Sequence, residues 1–301
     1  MAQPALRLEA APRTFGATAS AYLRLTKPRV IELLLVTAVP PMILAQGGLP
    51  AISLIVAVVV GGALAAGGAN TINCFIERDR DELMRRTQNR PLPQHEIPPA
   101  NALLFGIALN VLAFVILVSA ANLLAAALTM SATLFYVFVY TMWLKPRTVQ
   151  NIVIGGAAGA VPVLVGWAAV RNDLAAPAWI LFTVVFLWTP AHFWALALKY
   201  RDDYAAAGIP MLPVVRGVEV TVRQIRGYAM LTVAATLALT LTGDVGVFYA
   251  VAALVLGAMF VGRAFALVRE PTPARAIRFF AWSNVYLMAV FVAVAVDAFI
   301  H

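Results

Sequence analysis

The sequence predicts an all-α polytopic membrane protein, about nine transmembrane helices in one bundle, and three observations predict it. Of its 301 residues, 62% are hydrophobic and 12% charged, with a mean hydropathy of +0.86. Soluble domains lie nearer half apolar and a quarter charged. Apolar runs of about twenty residues, enough to span a bilayer core, recur along the chain. The short alternating segments of a membrane barrel are absent.

Residues 1–22 are small, polar and proline-containing, with no apolar core, so they read as a flexible cytoplasmic tail and not as a cleaved signal peptide. Residues 23–301 read as a single transmembrane domain. The expected spans are 30–46, 52–74, 101–120, 122–143, 150–170, 175–198, 226–242, 245–268 and 279–298. Pro40 and Pro41 interrupt the first and predict a kink. Gly and Pro in several others are tolerated, as they are in membrane helices generally.

The basic residues set the orientation. The tail and the loops after the second, fourth, sixth and eighth spans hold all of the 22 Lys and Arg except Arg171. That places the N-terminus in the cytoplasm of a bacterial-type inner membrane and the C-terminus outside. The net charge of +8 is then a topology signal and an attraction to the anionic lipid bilayer, with no nucleic-acid partner implied. Cys74 is the single cysteine, which excludes an internal disulfide and a cysteine metal knuckle.

Two patterns occur twice. Lys27-Pro28-Arg29 opens the first span and Lys145-Pro146-Arg147 the fifth, 118 residues on. Charged loops starting near Asn73 and near Lys199 follow at an offset of 126. These offsets suggest a parallel pseudo-repeat of two four-helix halves plus a ninth helix. The plainer explanation is ordinary helix-start chemistry, with basic residues at the cytoplasmic edge and Pro in a first turn.

The first charged loop, read as a continuation of the second helix, places Asn73, Glu77 and Asp81 at i, i+4 and i+8, within an arc of about 80° that also takes in Asn70. Two amides and two carboxylates thus share one face where the helix leaves the hydrocarbon. Such hard-oxygen groups suit Mg²⁺, which takes few protein carboxylates and leaves room for substrate phosphates. Arg78, Arg80, Arg85, Arg86 and Arg90 can hold phosphate oxygens. The alternative is an interfacial helix end with i,i+4 ion pairs such as Glu82 with Arg86.

In the second loop, His192, Lys199 and Asp203 share a stripe about 40° wide if the helix continues. Lys199 with Asp203 is then either an i,i+4 pair or part of a site. A histidine at membrane depth faces the bundle interior, either as packing or as a ligand. Gly208, Pro210 and Pro213 mark residues 204–217 as a structured loop. An acidic helix end facing one that offers Lys199 fits a diphosphate–Mg²⁺ group held between them.

At this point the residues resemble a known family. Asn73-x-x-x-Glu77-Arg78-Asp79-Arg80-Asp81, followed by Met84-x-Arg86-Thr87-x-Asn89-Arg90-Pro91-Leu92-Pro93, is similar to the first signature of the UbiA-type intramembrane prenyltransferases. The stretches LTKPRVIELLL (25–35), QNIVIGGAAGAVPVLVGWAA (150–169) and HFWALALKYRDDYAAAGIPMLPVV (192–215) resemble the branch that acts on haem. The resemblance implies transfer of a farnesyl group from farnesyl diphosphate to a vinyl group of protohaem IX (haem B), with Mg²⁺ as cofactor and haem as substrate. It also points to a downstream haem A synthase or terminal oxidase as partner. Carried over by position, Asn73, Glu77 and Asp81 are the first metal–diphosphate motif, and Asp203, with the catalytic Lys199, stands at the second. Glu77 departs from the family's usual Asp, and Lys199 replaces an acid. The substrate-binding set implied is Asn70, Arg78, Arg86, Arg90, Lys27, Arg29, His192, Lys145 and Asn151.

Two other readings remain open on the residues. One is a related enzyme with another aromatic or tetrapyrrole acceptor, which an acid at position 192 or 199 would favour. The other is a secondary transporter, which would use Glu32 in the first span.

Overall fold

The computed structural model describes residues 14–300, so the expected tail lies largely outside the described residues. Among them every regular element is helical. Helix α1 (Phe15–Thr26) is capped by Thr14, whose side chain accepts from the Ala17 N–H. It ends at Lys27, whose left-handed backbone (φ 55°) turns the chain into α2 (Pro28–Gln46), with Pro28 in its first turn. The two axes are bent by 52°. Pro40 and Pro41 lie inside α2, which runs on to Gln46 and closes on Gly47.

Helix α3 spans Ile52–Asp81. Its 30 residues extend for about 45 Å, longer than a hydrocarbon core of about 30 Å. The charged segment up to Asp81 is therefore helix standing beyond the apolar part, as the sequence reading required. Then come α4 (Pro99–Ala120), α5 (Leu123–Leu134) with a π-helical continuation over Phe135–Leu144, α6 (Asn151–Arg171) and α7 (Ala176–Lys199). Short α8 (Arg201–Ala206) and α9 (Leu212–Val215) precede α10 (Gly217–Ala238), α11 (Val247–Arg269) and α12 (Pro273–Ile300).

Among the described residues seven helices are long and apolar enough to cross a membrane, or eight if bent α1 and α2 count as one span, against the nine expected. Of the expected spans, the seventh, 226–242, falls in α10. That helix starts earlier, at Gly217, and carries Glu219, Arg223 and Arg226 in its first half, so it fails on composition.

The packing order repeats. Helices α2, α3, α4 and α5 pack in chain sequence, and so do α6, α7, α10 and α11. Helix α12 packs on α11, α7 and α2, and α2 on α6 closes the halves together. Interior helices α6 and α7 bury 56% and 50% of their apolar windows, against 28% for α4 and α11, which present Leu, Val and Phe outward. Apolar side chains gain nothing by leaving lipid for a neighbouring helix, so close backbone approach matters more here than in water. Gly166 of α6 is such a point, because a Cβ there would overlap the carbonyl oxygen of Ala38 in α2. At the far end of the bundle the buried Asp297 of α12 accepts from the Gly246 N–H (2.6 Å) and the Tyr249 N–H (2.9 Å), capping α11 with a carboxylate.

Gly166→Ala is expected to destabilise the bundle by about 1–3 kcal/mol, since the obstructing atom is backbone and cannot rotate away. Gly227→Ala, which meets nothing within 4 Å, is expected to be neutral or slightly stabilising. Thermal unfolding in detergent compares the two; equal midpoints would remove the close α2–α6 approach as a determinant.

Candidate active site

Because α3 is unbroken to Asp81, its one-face array forms as the spacing predicts. Asn70, Asn73, Glu77 and Asp81 are all buried, with 6%, 2%, 3% and 3% of their surface exposed. Ionised carboxylates at such burial need partners, and three segments deliver cations. Lys27, at the α1–α2 bend, donates to Asn73 Oδ1 (2.7 Å). Lys145, just past the π-helix, holds both oxygens of Glu77 at 2.5 and 2.6 Å. Arg90, in the loop after α3, donates to Asp81 Oδ2 (2.7 Å). Burial works against the Arg90 charge most strongly, yet the neighbouring acids, Asp81 first and Glu77 behind it, together hold the guanidinium pKa above its ordinary value. Asn70 donates to the Thr26 carbonyl (3.0 Å), and Asn73 donates to Thr141 Oγ1 (3.1 Å).

The π-helix explains how Lys145 arrives. In an α-helix, Tyr136 and Lys145 are nine residues, or about two and a half turns, apart and point oppositely. With i→i+5 hydrogen bonds a turn takes about four and a half residues, so the same nine residues make about two whole turns and the two side chains share a side. Tyr136 and Tyr140 then line the central cavity while Thr141 and Lys145 reach Asn73 and Glu77.

That cavity, of about 320 Å³, lies between α2, α3, α5, α6 and α7. Small and apolar residues form most of its wall. Asn70, Tyr136 and Tyr140 are among its polar members, and Asn70 also belongs to the acidic face. The site therefore joins a charged face to an apolar chamber.

The second loop differs from expectation. Helix α7 stops at Lys199, and Tyr200 (φ −103°, ψ 26°) breaks it before α8, so His192, Lys199 and Asp203 share no continuous stripe. Lys199 is exposed, its ammonium 5.3 Å from the Tyr200 ring centre, and it does not pair with Asp203. Asp203 instead accepts from the Arg86 backbone N–H (3.3 Å). The Arg86 guanidinium donates to the Tyr204 hydroxyl (3.3 Å) and lies over the rings of Tyr200 and Tyr204. Arg86 thus ties the two loops together, and the expected Glu82–Arg86 pair is absent among the described residues.

His192 does not line the cavity; Thr189 and Phe193 represent that part of α7 there. Its ring is stacked between Trp188 and Phe280, at 4.1 and 4.3 Å, with Nδ1 2.6 Å from Ser283 Oγ. An aromatic slot on α12 takes the imidazole in place of the chamber. Arg78 turns from the acidic face to Asp79 and the Phe75 carbonyl. Arg29 and Glu32 are exposed, so Glu32 is no interior transport residue. Asn151 is fully buried at the start of α6, donating to the Thr148 carbonyl, with Oδ1 unpartnered.

The sequence reading missed Tyr136, Tyr140, Thr141, Tyr204 and Ser283. The aromatic run FYVFVYTMWL directly before the second KPR was the available signal for the first three.

Among the described residues no three His, Cys, Asp or Glu side chains gather into a metal cage. The donors that share the α3 face, Asn73 Oδ1 and the carboxylates of Glu77 and Asp81, are all hard oxygens. Glu77 Oε1, though in ion-pair contact, takes no directed hydrogen bond. This set fits an ion such as Mg²⁺, which keeps several non-protein ligands. Asp203, engaged with Arg86, stands apart from it.

The sequence profile of the UbiA prenyltransferase family matches residues 33–288. The chain is 50% identical over 292 residues to the protoheme IX farnesyltransferase of Salinispora tropica, covering 96% of this chain and 91% of that one. It is 51% identical over 281 residues to the protoheme IX farnesyltransferase of Frankia alni, covering 92% and 97%. Among solved structures, a digeranylgeranylglyceryl phosphate synthase superposes with a TM-score of 0.77 at 18% identity, covering 94% of this chain and 99% of that one. A UbiA homolog from Archaeoglobus fulgidus bound to DMAPP and Mg²⁺ superposes with a TM-score of 0.65 at 18% identity, covering 92% and 99%.

Lys145→Ala is expected to destabilise the protein by roughly 3–5 kcal/mol, because it strands the buried Glu77 carboxylate. Adding Glu77→Gln should recover part of that loss. Unfolding of the single and double variants in detergent tests the coupling, and additive losses would rule it out.

Proposed function

The chain belongs to the UbiA prenyltransferase family, and on that footing we propose that this integral membrane prenyltransferase moves the farnesyl group of farnesyl diphosphate onto a vinyl group of protohaem IX (haem B). Water completes the hydroxyethylfarnesyl product, haem O, and diphosphate leaves; the step belongs to haem A and haem O biosynthesis. The observation that carries this reading is identity of about half over nearly the whole chain to proteins named for that activity.

The site's chemistry supports it. Asn73, Glu77 and Asp81 would hold Mg²⁺, with Asp203 serving through its hold on Arg86. When bound, the ion neutralises charge developing on the departing diphosphate. Lys27, Lys145 and Arg90, which otherwise balance the acids, turn their N–H groups to phosphate oxygens. Lys199, unpaired at the rim, adds a further cation. The apolar chamber would take the farnesyl tail, and Tyr136 and Tyr140, which line it, would offer their rings to the allylic cation. Exclusion of water there protects the cation until the vinyl group attacks. The acidic face is assigned to the cytoplasmic side of a bacterial-type inner membrane, with a haem A synthase or terminal oxidase as the user of the product.

Purified protein given haem, labelled farnesyl diphosphate and Mg²⁺ is expected to form haem O, identified by chromatography. Label transferred to another acceptor, with none on haem, would overturn the assignment. Glu77→Gln and Asp81→Asn are each expected to abolish transfer while the protein still folds. Near-normal output from the double variant at low Mg²⁺ would dismiss the metal role of this face.

A further inference from the structure

A second cavity lies away from the acidic face, between the last turns of α11 and the first turns of α12. Its volume is about 110 Å³, and Arg263, Ala266, Leu267, Arg275, Arg278 and Phe279 line it. Three arginine side chains thus line a space large enough for one phosphate group and too small for a tetrapyrrole. Only one of the three is neutralised, by the Arg275–Glu270 ion pair (2.6 Å). The Arg263 guanidinium lies over the Trp282 ring at 4.1 Å, which fixes its plane. Arg278 is exposed, donates Nε to the Ala274 carbonyl (3.4 Å) and forms no ion pair among the described residues. Beneath them Leu267 and Phe279 are buried and form an apolar floor.

We propose that this pocket binds the phosphodiester head of an anionic phospholipid. Planar guanidinium groups match phosphate oxygens in pairs. The pocket sits where α11 ends and α12 begins, on the side of the bundle that carries the basic loops, which is headgroup level for helices that span the bilayer. Helix α11 turns most of its apolar surface outward, with Leu254, Val255 and Phe265 exposed, so acyl chains attached to a bound head would meet a lipid-facing wall. Basic pockets between membrane helices hold anionic heads by this combination of charge and apolar walls. The pocket lacks the carboxylate pair that a metal–diphosphate complex needs, so it is no second copy of the acidic face.

Delipidated protein in neutral detergent is titrated with phosphatidylglycerol, phosphatidylcholine or inorganic phosphate, and both bound lipid by native mass spectrometry and the unfolding midpoint are read. Phosphatidylglycerol is expected to remain bound and raise the midpoint, while the other two do neither. Arg263→Gln with Arg278→Gln is expected to weaken phosphatidylglycerol binding about tenfold or more, as loss of charge-assisted contacts implies. Arg223→Gln, which removes an exposed Glu219-paired charge, is expected to leave it unchanged. The single variant Arg278→Gln serves if the double does not fold. Equal stabilisation by inorganic phosphate would assign the pocket to free phosphate and overturn the lipid reading. Undiminished phosphatidylglycerol binding in the variants would overturn the site itself.

Discussion

Two carboxylates buried on one face of a membrane helix are the constraint around which this protein is arranged. Glu77 and Asp81 cannot stay charged at 3% exposure without counter-charges within contact distance. Each counter-charge, with the lysine on neighbouring Asn73, comes from a local irregularity. Lys27 stands in a left-handed bend between α1 and α2, Lys145 follows a π-wound segment, and Arg90 stands in the loop beyond the helix. A chain of regular helices alone would leave those cations elsewhere. The two KPR tripeptides acquire a common purpose here, since both lysines reach adjacent turns of α3.

The chamber beside this face depends on the opposite property, scarcity of side-chain volume. Ala65, Ala66, Ala69, Gly155, Gly156 and Gly159 give it room, while close contact elsewhere, as at Gly166 against Ala38, keeps the surrounding helices fixed. Charge and void meet at Asn70, which belongs to both.

How much of this could be read in the sequence follows from how local each feature is. The acidic face was legible because α3 keeps one helical period from Ile52 to Asp81, so spacing alone fixes direction. The stripe through His192, Lys199 and Asp203 was not, because the helix breaks at Tyr200, where neither Gly nor Pro marks a stop. His192 looked like a cavity ligand because a lone imidazole on an apolar helix has few local partners. Trp188 stands one turn away on the same helix, but Phe280 and Ser283, which close the slot, are about ninety positions away, beyond the reach of periodicity. The π-winding leaves no spacing signature of its own, so Lys145 was visible only as half of a repeated tripeptide. The number of crossings was legible except at α2, which is long enough to cross only together with α1 across their bend, and at α10, where charge in the first half blurs the boundary between membrane and rim.

Arg86 spends its backbone N–H on Asp203 and its guanidinium on Tyr204, so a single residue fastens the segment after α3 to the segment after α7. Two loops latched at one point do not have independent hinges. A displacement of either segment is therefore passed to the other through that one residue, so the rim of the acidic face is one mechanical unit built from both halves of the bundle.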